Sequence, residues 1–319
     1  MKTVCTVILL VFYSSIFAQD YKAVDEKVDR YPGTFDNPNG LVTLISADFE
    51  RPEEKVRAVF RWVATHVQYD MFLEAQVEVG IGLKVFSYKD QKEKDIKEKK
   101  FLEELALKTF VSQRAICHGY AALIEYLTLK LGITAKTVLG TLKSSPEQIG
   151  MIPGKADHAW NAVFINGKWE LIDATLAAGY ISERTESFEF HYNEAFFFMN
   201  PNRFVLNHYP TDEKWLLTQK SKKEFADLPL FFGSYFSKNY RINAPLSGTV
   251  SPADNQLVLS IEGLEFGDVL QYFLSERPGF EQANLSDLSN IIIPLDGIHS
   301  GYVSIFVNKD IVAMFKIAE

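Results

Sequence analysis

Asn166-Gly167 stands between two runs that alternate apolar and polar residues, Ala159 to Ile165 and Lys168 to Asp173. A two-residue hairpin turn of the type that suits twisted strands needs positive φ at both central positions, and Asn-Gly meets that need best. With those two residues in the loop, the pairing follows by counting. Ile165 faces Lys168, Ala162 faces Leu171, Trp160 faces Asp173 and His158 faces Thr175. Successive side chains alternate between faces. One face therefore carries His158, Trp160, Ala162, Phe164, Trp169, Leu171 and Asp173, and reads as the core face. The other, with Asn161, Lys168 and Glu170, reads as the wetter one. His158 and Asp173 become diagonal neighbours, about 7–8 Å apart between backbones. A carboxylate on an apolar face is costly unless paired, and the imidazole is the available partner. Such a pair can be structural, or it can leave the second ring nitrogen free to act as a base.

A nucleophile for that base is available upstream. From Cys117 the apolar residues Tyr120, Leu123, Ile124, Leu127 and Leu131 fall at helical spacing, and Gly132 stands where a left-handed residue ends a helix. The spacing predicts a helix over Cys117 to Leu131 with the cysteine at its N-terminus. There the unpaired N–H groups and the helix dipole favour negative charge. A Cys at a helix start, a His on a strand and an Asp that orients the His together have the logic of covalent catalysis. Chain order permits the meeting, since one strand (Thr134 to Leu139) and one loop (Ser144 to Pro153) separate helix from hairpin.

The start of the chain isolates this cysteine. Lys2, an apolar run from Val4 to Phe17 and Ala18 before Gln19 have the layout of a secretory signal peptide over residues 1–18. The run is shorter than the ~20 residues of a spanning helix, and no second run is long enough, so no integral membrane segment is expected in the mature chain. Removal of residues 1–18 takes away Cys5 and leaves Cys117 without a disulfide partner. Count alone leaves it open between a reactive thiol and a small core hydrophobe.

Elsewhere, Pro52 opens a helix that runs through Val56, Val59, Phe60, Val63 and Val67. A second helix is expected over Lys99 to Phe110, after a stretch from Gln76 without clear period. Residues 188–217 are aromatic and irregular. Past Asn239 short alternating runs separated by Gly, Pro and Asn predict a β-sandwich of roughly 80 residues. The layout is then residues 1–18 as leader, 19–238 as a catalytic domain and 239–319 as a C-terminal β-sandwich. The 319 residues are 47% hydrophobic with a formal charge of −8, enough for real cores and without a basic footprint for nucleic acid. His118 adjoins the cysteine but points away from it on a helix. His66, His191, His208 and His299 lie in unrelated contexts and receive no chemistry. Too few Cys and His cluster to predict a metal site. Asn284-Leu285-Ser286 is a glycosylation acceptor only in a eukaryotic secretory pathway.

Several segments together carry a resemblance. Arg114-Ala115-Ile116-Cys117-His118-Gly119-Tyr120-Ala121, then Leu131-Gly132-Ile133 and Val138-Leu139-Gly140, resemble the nucleophile segment of the transglutaminase-like superfamily. Asp157-His158-Ala159-Trp160-Asn161 and Trp169-Glu170-Leu171-Ile172-Asp173-Ala174-Thr175 resemble its His and Asp segments. Val59-Phe60-Arg61-Trp62-Val63 with Val67-Gln68-Tyr69-Asp70 is similar to the preceding helix. Phe197-Phe198-Met199-Asn200-Pro201, Phe204, His208-Tyr209-Pro210 and Trp215-Leu216-Leu217 resemble the kyphoscoliosis-peptidase branch. The likeness covers about residues 53–230. It implies an α+β, papain-like core, a Cys-bearing helix on an antiparallel sheet, with Cys117, His158 and Asp173 as catalytic triad.

The resemblance also implies an acyl-enzyme at an amide carbonyl, released to water or to an amine, with the Cys117 N–H in the oxyanion site and neither metal nor organic cofactor. Ala115 replaces a common Gly, and Leu176 replaces a Trp frequent in that branch. The reading is an exported (secreted or periplasmic) thiol hydrolase or acyltransferase acting on protein or peptide amides. Protein contacts through the C-terminal domain are a further expectation. The alternative is an inactive relative that serves as an extracellular or cell-envelope protein-binding module.

Overall fold

The computed structural model describes residues 21–79, 87–182 and 184–318. The expected leader, with Cys5, lies outside the described residues. In chain order come α1 (Lys22–Val28), α2 (Pro38–Asp48), α3 (Pro52–His66), β1 (Gln68–Tyr69), α4 (Met71–Glu78), α5 (Gln91–Ser112), β2 (Arg114–Ala115) and α6 (Cys117–Lys130). Next are β3 (Ala135–Leu142), β4 (His158–Ile165), β5 (Lys168–Ile172), α7 (Ala174–Ala178), β6 (Gly179–Ser182), β7 (Ser187–Phe190), α8 (Pro201–Phe204) and β8 (His208–Pro210). The fold is α+β.

Local chemistry explains the key elements. α6 buries Tyr120, Leu123, Ile124 and Leu127 completely, at roughly 1.5–3 kcal/mol for each large apolar side chain. Gly132 then takes φ +77°, which only a residue without Cβ adopts at no cost. Asn166 and Gly167 have φ of +50° and +82°, the two positive values that the hairpin turn requires. The register follows the count from the sequence as far as Asn161 opposite Ile172. There β5 ends, and the Asp173 N–H turns to Phe196 O. His158 faces Gly140 of β3, not Thr175. The ladder breaks because Asp173 is the N-cap of α7.

β5, β4, β3 and β8 form an antiparallel sheet in that order. The expectation of one wet face is wrong. Ala159, Asn161 and Val163 are buried beneath α6, and Asn161 Nδ2 donates to Ala121 O at 2.9 Å. Its amide is satisfied by a helix carbonyl, so a polar residue sits under the helix without an orphaned group. The opposite face packs Trp160 against Phe204 and His208. Lys168 and Glu170 escape at the turn end, where they pair at 2.6 Å. The predicted helix from Lys99 begins earlier, at Gln91. Asp90 accepts the Glu93 N–H at 2.8 Å and so caps the helix within a stretch that has no clear apolar period.

Downstream come α9 (Lys222–Ala226), β9 (Leu230–Phe231), α10 (Gly233–Ser237), β10 (Arg241–Ala244), β11 (Thr249–Val250), β12 (Gln256–Glu262), β13 (Leu270–Leu274), β14 (Arg277–Gln282), β15 (Ile291–Pro294), β16 (Gly301–Val307) and β17 (Asp310–Ile317). They form two sheets, β10-β12-β15 and β11-β17-β16-β13-β14, with β9 added against β17. Alternate residues such as Leu257, Leu259, Ile261, Val303 and Ile305 point inward and are buried. Among the described residues no helix is long and apolar enough to cross a membrane.

Candidate active site

Cys117 opens α6 directly after the extended residue Ile116. Gly119 and Tyr120 donate their N–H groups back to Ile116 O. The amides of Cys117 and His118 find no such acceptor among the described residues, so the first turn presents two free donors. The thiol is mostly buried, packed with Ala121 and Ala159. It lies at the floor of a cleft of about 810 Å³. Tyr69 and Glu74 stand on its walls, the Tyr69 hydroxyl donating to Glu74 Oε1. Leu139 and Leu142 of β3, Leu176 of α7 and Gly179 to Ile181 of β6 line other parts.

β4 delivers His158 to this floor as its first residue, where the strand end lets the ring reach Cys117. His158 Nε2 lies 2.7 Å from Asp173 Oδ2, which leaves Nδ1 as the ring nitrogen for the thiol. Asp173 is wholly buried, and both its oxygens are used. Oδ1 accepts the N–H groups of Thr175 (2.8 Å) and Leu176 (3.0 Å), while Oδ2 accepts from the ring nitrogens. One residue thus caps α7 and fixes the imidazole.

The three residues that the sequence singled out are therefore brought together. A fourth joins them that the sequence reading set aside. His208 Nε2 lies 3.0 Å from the same Asp173 Oδ2, its Nδ1 lies 3.2 Å from Phe204 O, and its ring stacks on Phe204 at 3.9 Å. The sequence places His208 in an unrelated context because it is distant along the chain: β8 pairs with β3 only in the folded sheet, Leu142 opposite His208. The segment His208-Tyr209-Pro210 was the one available signal. His118 turns its ring to the edge of Phe101 on α5, although it also borders the cleft. His66 stacks on Trp62, and His191 meets Tyr180.

The electrostatics follow from burial and pairing. Burial alone would push the His158 imidazolium to lower pKa. The charge and hydrogen bond of Asp173, then Cys117, outweigh it and raise His158 to about 10. For Asp173 burial acts upward, but His158 and then His208 hold its carboxyl well below the usual range. His208 is lowered by burial, against the pull of Asp173. His158, Asp173 and His208 also form a group whose donor atoms, within 4.8 Å of one another, could hold a metal ion. Both Nε2 atoms are spent on one carboxylate oxygen, and the other oxygen on two amides. The set is satisfied as a proton-sharing network.

Residues 41–174 match the family model described as Transglutaminase-like superfamily, a span that includes Cys117, His158 and Asp173. Kyphoscoliosis peptidase of Homo sapiens is 29% identical over 243 residues, 74% of this chain and 33% of that protein. The Mus musculus protein of the same name matches to the same extent. Hillarin of Drosophila melanogaster is 21% identical over 201 residues, 57% of this chain and 21% of its own length. The alignment spans 33% of the kyphoscoliosis peptidases' length.

Proposed function

With a transglutaminase-like domain over residues 41–174 as the premise, we propose that this protein is an exported thiol hydrolase acting on protein or peptide amides, with Cys117 as nucleophile, His158 as acid and base and Asp173 as orienter. The observation that carries the reading is the arrangement at the cleft floor. Cys117, at a helix start, and His158 line the same cleft floor, and His158 Nε2 is held 2.7 Å from a buried carboxylate.

The chemistry follows from those contacts. The Cys117 sulfur, as thiolate beside the His158 imidazolium, attacks the amide carbonyl carbon and forms a C–S bond. The carbonyl electron pair moves to oxygen, where the free N–H groups of the first turn of α6 can hold the charge. As the tetrahedral centre collapses, the C–N bond breaks and His158 gives its Nδ1 proton to the departing amine. His158 then takes a proton from water, the hydroxyl attacks the thioester, and the acid leaves with regeneration of the thiolate. An amine in place of water gives transamidation by the same route. Hydrolysis is placed first because no residue of the cleft selects an amine.

The test uses iodoacetamide on protein lacking residues 1–18, in which Cys117 is the remaining thiol. At pH 6 the protein should be alkylated at least about tenfold faster than its His158→Ala variant, since the ring is the group that takes up the thiol proton as sulfur attacks. Equal slow rates for both proteins would sink the enzyme reading and leave a protein-binding module on this fold.

A further inference from the structure

The short hairpin of β6 and β7 forms one wall of the cleft, and its hydrogen-bond register leaves one edge unused. The pairs are Gly179 with Phe190, Tyr180 with Glu189, Ile181 with Phe188 and Ser182 with Ser187. Immediately before them the His191 N–H donates to Ala178 O at 2.9 Å. In an antiparallel ladder, hydrogen-bonded and non-hydrogen-bonded pairs alternate. With Ala178 and His191 in a bonded pair, Tyr180 and Ser182 also turn their N–H and C=O groups toward β7. Gly179 and Ile181 turn theirs to the opposite edge. Among the described residues β6 pairs with β7 alone.

That edge borders the cleft that holds Cys117. Gly179 and Ile181 are among the residues lining it. Gly179 has no side chain, so what it shows the cleft is backbone. Its lack of a side chain is also enforced, because a Cβ there would lie 2.0 Å from Glu189 O and 2.9 Å from His191 N. Leu139, Leu142 and Leu176 add apolar side chains to the same lining, which also carries Glu74, Lys155 and Asp157. Ile181 is 44% exposed and Leu139 46%, so both offer apolar surface to a chain that enters the cleft.

We propose that β6 is the docking strand for the substrate: an extended polypeptide segment with apolar side chains adds to its free edge by backbone pairing with Gly179 and Ile181, and so carries its amide carbonyl to Cys117. The reading rests on the thiol chemistry above for its purpose but not for its test. A strand edge offers alternate N–H and C=O groups and recognises extended chain irrespective of most side chains. The apolar walls then select what lies between the backbone bonds. Small isolated amides and folded helical segments cannot use such an edge, so the substrate class is unfolded or loop-borne peptide.

The experiment compares covalent capture of Cys117 by two chloromethyl ketones, acetyl-Ala-Val-Leu and acetyl-Leu, each rate divided by the iodoacetamide rate of the same protein. The tripeptide should react about tenfold or more faster than the single residue. Ile181→Pro, which removes the outward N–H without touching a β6–β7 bond, should bring the ratio close to one, as should N-methylation of the tripeptide's pairing amide. Ile181→Ala keeps that N–H and should retain most of the advantage. The proposal is overturned if the tripeptide shows no advantage, if Ile181→Pro and N-methylation leave it intact, or if Ile181→Ala loses as much as Ile181→Pro. A slow, His158-independent iodoacetamide rate would instead count against the triad, and the ratio would still report on the edge.

Discussion

Asp173 shows how much one side chain can carry. Its Oδ1 caps α7 through two backbone amides, and its Oδ2 is shared by His158 and His208. The three groups respond to pH with different signs. His158 is raised to about 10, so its contribution to stability is whole below its ordinary pKa near 6.5 and fades as pH rises toward 10. Asp173 is depressed, so its contribution is whole above about pH 4 and fades as pH falls. His208 is lowered by burial, so protonation of the unfolded chain costs stability as pH drops below about 6.5. The three together favour the folded chain most near pH 6.5, and relative to His158→Ala the protein's advantage in melting temperature should shrink as pH rises toward 10. His208→Phe should lower the melting temperature by the equivalent of about 1–3 kcal/mol, because one donor to a buried carboxylate is lost. With the carboxylate shared by fewer donors, the His158 imidazolium should hold its proton to higher pH, seen by NMR titration of its ring. His208→Gln, if its amide reaches Asp173, should restore both. A His158 titration that ignores the loss of His208 would show the second histidine to be packing alone.

Among the elements, β3 is the hinge of the site, since it pairs with β4 on one side and β8 on the other. At Gly140, opposite both His158 and Pro210, a Cβ would lie 2.3 Å from Tyr209 O and 2.4 Å from Trp160 Cη2. The absent side chain lets β8 approach and bring His208 under Asp173. Gly140→Ala should push β8 outward and cost about 1–3 kcal/mol, as overpacked positions do. The His158 resonance should then move in the same direction as in His208→Phe. A stable, unshifted Gly140→Ala would mean that β8 tolerates displacement without consequence for the carboxylate. Nothing about Gly140 in the sequence announces this. Its neighbours Val138 and Leu139 read as ordinary strand, and the conflict arises with Tyr209 and Trp160, which are remote in the chain.

Across the whole molecule, the C-terminal sheets are tied to what precedes them. β9 pairs with β17 through Leu230–Met314 and Phe231–Ala313, and Ser234 Oγ donates to Ile311 O. Lys143, just past β3, buries its ammonium against the carbonyls of Phe225, Ala226 and Leu228 at 2.7–2.9 Å. Burial lowers that lysine to about 7. The site sheet and the segment that leads to the β-sandwich are thus joined through hydrogen bonds as well as packing. Export belongs to this scale too, because it decides whether Cys117 has a thiol neighbour in the chain. We propose cleavage after Ala18. The intact mass of protein recovered from the exported fraction should correspond to a chain beginning at Gln19, and a mass retaining residues 1–18 would exclude that cut.

Periodicity and turn chemistry determined by themselves the helix that starts at Cys117, the hairpin at Asn166-Gly167 and its register down to Ile172. These are local properties, fixed by spacing along one segment and by which residues tolerate positive φ. They also put His158 and Asp173 near each other, through a Trp160–Asp173 pairing that does not form; the contact is made with Asp173 as the N-cap of α7. What covers each face of β4 was not legible, because Asn161 is polar until a carbonyl of α6 is beside it. Nor was the place of His208, which becomes the second imidazole at the carboxylate only when β8 closes onto β3. The free edge of β6 is of the same kind. Which backbone groups point outward depends on hydrogen bonds made to another strand, and a sequence carries side chains, not the partners that its backbone will find.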